Sequence, residues 1–217
     1  MRFAMLAALA AACRDAGAKP QQPAPRSLSY DEAVAALKQP KRWCEAAAAF
    51  AKLGDRRAID PLYRVATLSE EGLPDRSCVR DALEQLGIHD EAARLVGSAQ
   101  AADRRTGIRM MEAFRAPGQT PILTRLALND PERELRALAA HALRFQNITP
   151  AWDTAMVSLL DASDSDTRAL AATALAHRFD AAILAALRKR LGSETDASVR
   201  AALTDAIRVQ DDHAAHP

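Results

Sequence analysis

Residues 128–143 read LNDPERELRALAAHAL, and residues 159–178 read LLDASDSDTRALAATALAHR. Both stretches begin with an acidic turn and continue to an arginine, Arg136 or Arg168, and then to an alanine followed directly by leucine. After the turn, apolar residues recur three or four positions apart, which is the spacing of one apolar stripe on a helix. A helix with one such stripe is stable only when neighbours cover it, so the pattern predicts helices that stack on one another.

The alanine followed by a large apolar residue recurs along the chain at nearly constant intervals. Successive examples lie about 30 residues apart, at Ala49, Ala82, Ala113, Ala142, Ala174 and Ala206. A regular period of this length in a helical chain predicts a solenoid of helix pairs. The composition agrees, because aromatic residues make up only 4% of the 217 residues, whereas alanine, the strongest helix former, is abundant.

Three stretches of the chain, residues 46–66, 128–143 and 159–178, resemble HEAT repeats. They are similar to the bacterial branch known as HEAT-like or phycobilisome-lyase-type repeats. The resemblance implies an all-α fold, a right-handed α-solenoid (α-α superhelix) of about six HEAT-like helix pairs over residues 29–210. The third unit departs most from the pattern, because Gly107 stands where later units have arginine. Residues 211–217 are expected to form a disordered tail.

Capping chemistry marks several helix starts. Ser29 and Glu32 have the spacing of a capping box. Further starts are predicted where a side chain that can cap a helix precedes a proline. These sites are Asp60-Pro61, Thr120-Pro121, Asp130-Pro131 and Thr149-Pro150.

The first residues have the features of an export signal. Arg2 precedes an apolar run over residues 3–12, followed by Cys13. The run is too short to span a bilayer, which needs about 20 apolar residues. One positive charge, a short apolar run and small residues at its end indicate a secretory signal over residues 1–18. An amphipathic or buried cytosolic helix is the alternative.

The end of this segment also resembles the lipobox of bacterial lipoproteins, which implies lipidation at Cys13. The match is imperfect, since the family prefers leucine where this chain has Ala10, and an alternative cleavage motif lies at residues 16–18. Residues 19–28 are rich in proline and glutamine, which predicts an extended tether. We therefore expect an exported protein on the periplasmic side of the cell envelope, held at a membrane if Cys13 carries lipid.

Repeated arginines form the most regular polar feature. The HEAT resemblance implies that each pairs with an acidic residue in the turn ahead, which makes a ladder between units. Asp130 and Glu194 lie six residues before Arg136 and Arg200, which suits that role, whereas Asp161 and Asp164 are placed less regularly before Arg168. A positive stripe for an acidic partner is the alternative. The expected ladder residues are Asp130, Arg136, Arg168, Glu194 and Arg200.

Cys44 and Cys78 lie at nearly equivalent positions in the second helices of neighbouring units. An oxidising compartment and an even number of remaining thiols favour a disulfide. Equivalent residues on stacked helices are about 8–10 Å apart, however, whereas bridged Cα atoms lie about 4.4–6.8 Å apart. A disulfide and two buried free thiols both remain open on the sequence.

No residue pattern indicates catalysis, a metal site or a cofactor. The five histidines have no ligand spacing, and phosphate-binding loops and nucleophile elbows are absent from the sequence. The 29 basic residues nearly balance the 28 acidic ones, so the charge gives no reason to expect nucleic acid. Four aromatic side chains are possible anchors for a partner, namely Trp43, Tyr63, Phe145 and Trp152. Trp43 takes the arginine position in the first unit, where we expect it to cap the stack, and a place on the concave side is the alternative.

These features predict a scaffold and not an enzyme. Stackable units after an export signal and a tether favour a protein that binds a protein partner on its concave face. A bilin-lyase-like cofactor chaperone is an alternative, because some relatives of these repeats handle tetrapyrroles. A nucleic-acid-binding HEAT protein is a second alternative, disfavoured by the charge balance and the export signal.

Overall fold

The computed structural model describes residues 27–216. The predicted signal, Cys13 and most of the predicted tether therefore lie outside the described residues. The described part contains α-helices and short 3-10 turns and no strand. The helices are α1 (Tyr30–Ala36), α2 (Trp43–Leu53), α3 (Ile59–Ala66), α4 (Ser77–Gln85), α5 (Ile88–Val96), α6 (Ala101–Ala113), α7 (Gln119–Asn129), α8 (Arg133–Arg144), α9 (Pro150–Leu159), α10 (Ser165–Leu175), α11 (Ala181–Ser193) and α12 (Ala197–Ala215).

The helices form an all-α solenoid of six consecutive pairs. Each odd-numbered helix, the first helix of a unit, packs against the even-numbered second helix that follows it. Second helices also pack on one another along the stack, α2 on α4 in one group and α6, α8, α10 and α12 in succession in another. Among the first helices only α7, α9 and α11 make comparable contacts within the described chain. The buried side chains form one continuous apolar core from Ala33 to Ala206, as expected of stacked units.

Two of the predicted helix caps are present. The Ser29 hydroxyl accepts the Glu32 backbone N–H, and the Glu32 carboxylate accepts the Ser29 N–H, which completes the capping box. The Thr149 hydroxyl accepts the backbone N–H of Trp152 at the start of α9. The other three capping residue–proline pairs do not mark the helix starts as predicted, because α3, α7 and α8 begin at Ile59, Gln119 and Arg133.

The third unit keeps its arginine, contrary to the sequence interpretation. Arg104, one repeat before Arg136, makes the contacts that were expected at the position of Gly107. The glycine has a different role, since a Cβ atom placed on it would lie 2.7 Å from Val96 Cγ1 and 2.8 Å from the Ala92 carbonyl oxygen. Gly107 is therefore a point of close approach between α5 and α6.

The C-terminal residues are helical where a disordered tail was expected. Helix α12 continues to Ala215, held by an ion pair between Arg188 and Asp211 at 2.6 Å. The His213 ring also stacks on Phe179, with 3.6 Å between the ring centroids. Within residues 27–216 no helix has both the length and the apolar character needed to cross a bilayer.

Candidate functional site

A buried ion pair joins each unit to the next in the C-terminal half of the stack. In the middle pair, Arg136 Nε donates to Asp164 Oδ2 at 2.7 Å, and Nη2 donates to Oδ1 at 3.1 Å. The third nitrogen, Nη1, donates to the Asp130 backbone carbonyl at 2.8 Å. One guanidinium therefore fixes the turn ahead of its own helix and, through a bidentate bond, the turn of the following unit.

The same geometry occurs in two other units. Arg104 holds Asp130, and Arg168 holds Glu194, each through Nε and Nη2 at 2.8–3.1 Å. In all three pairs the carboxylate partner comes after the arginine, in the next unit. The six-residue spacing seen in the sequence marks instead the backbone carbonyl that Nη1 contacts. Of the expected ladder residues, Arg200 forms no ion pair within residues 27–216. The other four take part in such pairs, with each acid held by the arginine of the preceding unit.

The acids of the ladder are electrostatically stabilised as carboxylates. The hydrogen bond from Arg168 holds the pKa of Glu194 far below its ordinary value, against the opposing effect of burial. Arg136 lowers the pKa of Asp164 in the same way. For Asp130, burial acts to raise the pKa, but the bonds from Arg104 and the backbone outweigh it, so the pKa is lowered. All three acids are more than 90% buried, so these carboxylates are part of the structural frame.

The ladder ends differently at the start of the stack. Arg76, in the equivalent position of the second unit, donates to the Val65 and Leu68 carbonyls and forms no ion pair within residues 27–216. In the first unit Trp43 takes the arginine position, is only 3% exposed and donates its indole N–H to the Leu37 carbonyl at 2.9 Å. The indole therefore makes the bond to the preceding turn that arginine makes in later units.

Cys44 and Cys78 are joined by a disulfide, with their Cα atoms 5.4 Å apart. Both lie in the first turn of their helices, α2 and α4. The two helices pack directly on one another. The bridge connects the first two units, where the described chain has no arginine–carboxylate pair of the ladder type.

The histidines are distributed over the surface and do not converge. His89 contacts Glu84 at 2.6 Å, and His141 contacts Glu112 at 3.0 Å. Within the part of the chain that the structure describes, no group of three His, Cys, Asp or Glu side chains is placed to hold a metal ion. The described surface therefore offers polar contacts and no assembled ligand set.

The exposed large apolar side chains of the described chain all lie at one edge of the stack. This edge is where each second helix ends and the chain passes to the next unit. Its exposed apolar residues are Leu53, Phe145, Ile148 and Phe179. Of the four aromatic residues considered as anchors, Trp43 and Trp152 are buried and Tyr63 is half-buried, which leaves Phe145, 43% exposed.

Two arginines and a histidine lie around Phe145. Arg115 Nη1 donates to the Phe145 carbonyl at 2.8 Å, the Arg144 guanidinium lies 5.7 Å from the ring centroid, and the His141 ring packs edge-on at 4.9 Å. Neither Arg115 nor Arg144 forms an ion pair within residues 27–216. We call Phe145, Ile148, Arg115, Arg144 and His141 the Phe145 cluster.

The sequence identified Phe145 as a possible anchor but not the arginines beside it. Arg115 and Phe145 belong to different units, and only the stacking of α6 on α8 brings them together. One sequence feature could have pointed to these arginines. Two neighbouring second helices, α6 and α8, each have an arginine at or just after their last residue, namely Arg115 and Arg144.

No protein-family model matches the chain, and no curated protein does either. Among solved structures, the chain is similar to an engineered protein with 18% identity, covering 84% of this chain and 96% of that one, with a TM-score of 0.48. It is also similar to the Escherichia coli protein YibA, with 17% identity, covering 83% of this chain and 82% of that one, with a TM-score of 0.44.

Proposed function

We propose that this chain is an exported HEAT-repeat scaffold that binds a protein partner and catalyses no reaction. The observation that carries the proposal is the Phe145 cluster. There Arg144 lies near an exposed aromatic ring and Arg115 binds the backbone carbonyl of the same residue. Neither guanidinium has a carboxylate partner in the described chain. Aromatic and arginine side chains are the residue types that contribute most to binding energy in protein interfaces.

The chemistry of the cluster selects the kind of partner. The exposed ring of Phe145 and the exposed side chain of Ile148 provide apolar contact area. Arg115 and Arg144 lie where they would bind carboxylates of the same segment. The proposed ligand is therefore an acidic stretch of protein with an apolar side chain among its carboxylates.

The surrounding layer supports an extended contact. We take the second helices as the concave side, because they pack on one another more continuously along the stack than the first helices do. His141 and Arg144 are exposed on α8, in this layer. A partner bound at the Phe145 cluster would thus extend along the concave face of α6, α8 and α10.

Site-specific photocrosslinking tests this proposal. A photoreactive amino acid replaces Phe145 in one variant and Ala151, which is exposed on α9 in the first-helix layer, in a matched control. We expect position 145 to crosslink to an acidic segment of one envelope protein, with loss of the product on reversing Arg115 and Arg144 to Glu. Equal crosslinking from both positions, or insensitivity to charge reversal, would contradict the proposal.

Export and tethering form the second part of the proposal. Support comes from the apolar run before Cys13 and the proline-rich stretch after it. Mass spectrometry of the mature N-terminus tests this part separately. A diacylglycerol-modified Cys13 is the expected result, whereas an intact Met1 would place the partner elsewhere.

Salt-sensitive retention on DNA, or an absorbance change on incubation with a bilin, would favour the alternative functions.

A further inference from the structure

Arg200 makes one of the backbone contacts of the ladder arginines but forms no ion pair within residues 27–216. Its Nη1 donates to the carbonyl of Glu194, six residues earlier, at 2.9 Å. Arg104, Arg136 and Arg168 each make the equivalent bond, at 2.8–3.2 Å, to the carbonyl six residues before them. In those three residues the other two donors, Nε and Nη2, hold the acid of the next unit.

The remaining donors of Arg200, Nε and Nη2, are the ones that bind a carboxylate in the other three arginines. No carboxylate within residues 27–216 forms an ion pair with this side chain, which is exposed at the end of the stack. Because Nη1 is already bound to the backbone at 2.9–3.0 Å, the guanidinium plane is held in place before any ligand arrives. Such preorganisation reduces the conformational entropy that binding would otherwise remove.

An apolar position beside Arg200 is also incompletely covered. In the ladder units, the residue seven positions after the arginine is fully buried, as for Met111, Leu143 and Leu175. The equivalent residue of the last unit, Ile207, is only partly buried. The end of the stack thus presents the two elements of an inter-unit contact, a preorganised guanidinium and an apolar side chain.

We infer that the end formed by α11 and α12 is a second binding surface, independent of the Phe145 cluster. Its ligand is a carboxylate in the turn between two helices of a different protein, stacked on α12 as Glu194 is stacked on Arg168. A second copy of this chain does not fit the same role through its first unit. There the position six residues before Trp43, equivalent to Asp130 or Glu194, is Leu37, which has no carboxylate.

The inference can be tested on the intact chain by following arginine Nε–H signals in NMR spectra. The probe is a blocked peptide that reproduces residues 190–199, RLGSETDASV, which carry the turn and the carboxylate of Glu194. We expect the Arg200 signal to shift saturably, with a dissociation constant of about 1 mM or weaker. The signals of Arg136 and Arg168, whose donors are occupied, should not move and also report that the fold is intact.

Two controls separate this site from general attraction of anions. The peptide with Glu194→Gln should cause no shift at Arg200. In the protein variant Arg200→Lys, followed by the backbone amide signals of α12, the original peptide should bind more weakly, because lysine cannot form the bidentate contact of a guanidinium. An equal shift at Arg115, or an unchanged response to the glutamine peptide, would overturn the inference. End-to-end self-association abolished by Arg200→Glu would also overturn it, because the ligand would then be a second copy.

Discussion

Arg136 and Asp164 belong to different units, yet they form a bidentate ion pair at 2.7 and 3.1 Å across the boundary between them. The carboxylate side chain is 6% exposed and the guanidinium side chain is 19% exposed. Because the same guanidinium also holds the Asp130 carbonyl, the two turns are fixed relative to one another. The pair thus fixes the position of the start of α8 relative to the start of α10.

Neutralising Asp164 should destabilise the fold. Asp164→Asn keeps the shape of the side chain but leaves the largely buried Arg136 without its counter-charge. We expect a loss of about 2 to 3 kcal/mol in the free energy of unfolding, measured by chemical denaturation. The matched control is Asp166→Asn, where the acid is 75% exposed and pairs with Arg133. That change should alter stability by less than about 0.5 kcal/mol, and an equal loss in both variants would contradict the ladder.

Stability should fall in acid because of Glu194. Its pKa in the folded chain is held far below the ordinary value by the hydrogen bond from Arg168. The unfolded chain therefore takes up this proton first, so the stabilisation is present above a pH of about 4.3 and is lost as the pH falls. Glu194→Gln should reduce the difference in unfolding free energy between about pH 7 and about pH 3. The exposed control Glu134→Gln should keep the wild-type dependence, and a Glu194 variant that also keeps it would refute the linkage.

The sequence predicted the helical class and the repeat, because each depends on a periodic pattern. Of the ladder it named Asp130, Arg136, Arg168 and Glu194, but it missed Arg104 and paired Glu194 with Arg200 instead of Arg168. It did not predict which unit supplies each partner. A spacing of six residues before Arg136 suggested Asp130, but the extended side chain of arginine reaches forward to the next unit instead. Distances along a helix follow from the sequence, whereas contacts between units depend on how the helices stack.

Breaking the disulfide should loosen the first two units. The bridge between Cys44 and Cys78 spans 34 residues, and a loop of this size corresponds to about 3 to 4 kcal/mol in the chain-entropy description. We expect the double variant Cys44→Ser, Cys78→Ser to lose stability by that amount in thermal or chemical denaturation. Adding a reductant should destabilise the wild type in the same way and leave the double variant unchanged. A wild type insensitive to reductant, with Cys44 and Cys78 both free after denaturation, would mean that the bridge does not form.

Gly107 should be intolerant of even the smallest side chain. A methyl group there would lie 2.7 Å from Val96 Cγ1 and 2.9 Å from the Val96 backbone nitrogen, so α5 and α6 would have to separate. Alanine favours a helix by about 1 kcal/mol over glycine, but overpacking at a close contact costs about 1 to 3 kcal/mol, and here the backbone itself must move. We therefore expect Gly107→Ala to lower the unfolding free energy by about 2 kcal/mol.

Gly192 is the matched control, because it also lies in a helix, α11, but a Cβ atom there would meet nothing within 4 Å. Gly192→Ala should keep the helix-propensity gain without the clash, and raise stability by up to about 1 kcal/mol. Opposite signs for the two alanine substitutions, measured by denaturation under identical conditions, would identify Gly107 as a packing residue. A stabilising Gly107→Ala would mean that α5 and α6 are not in close contact and that the third unit is loosely packed.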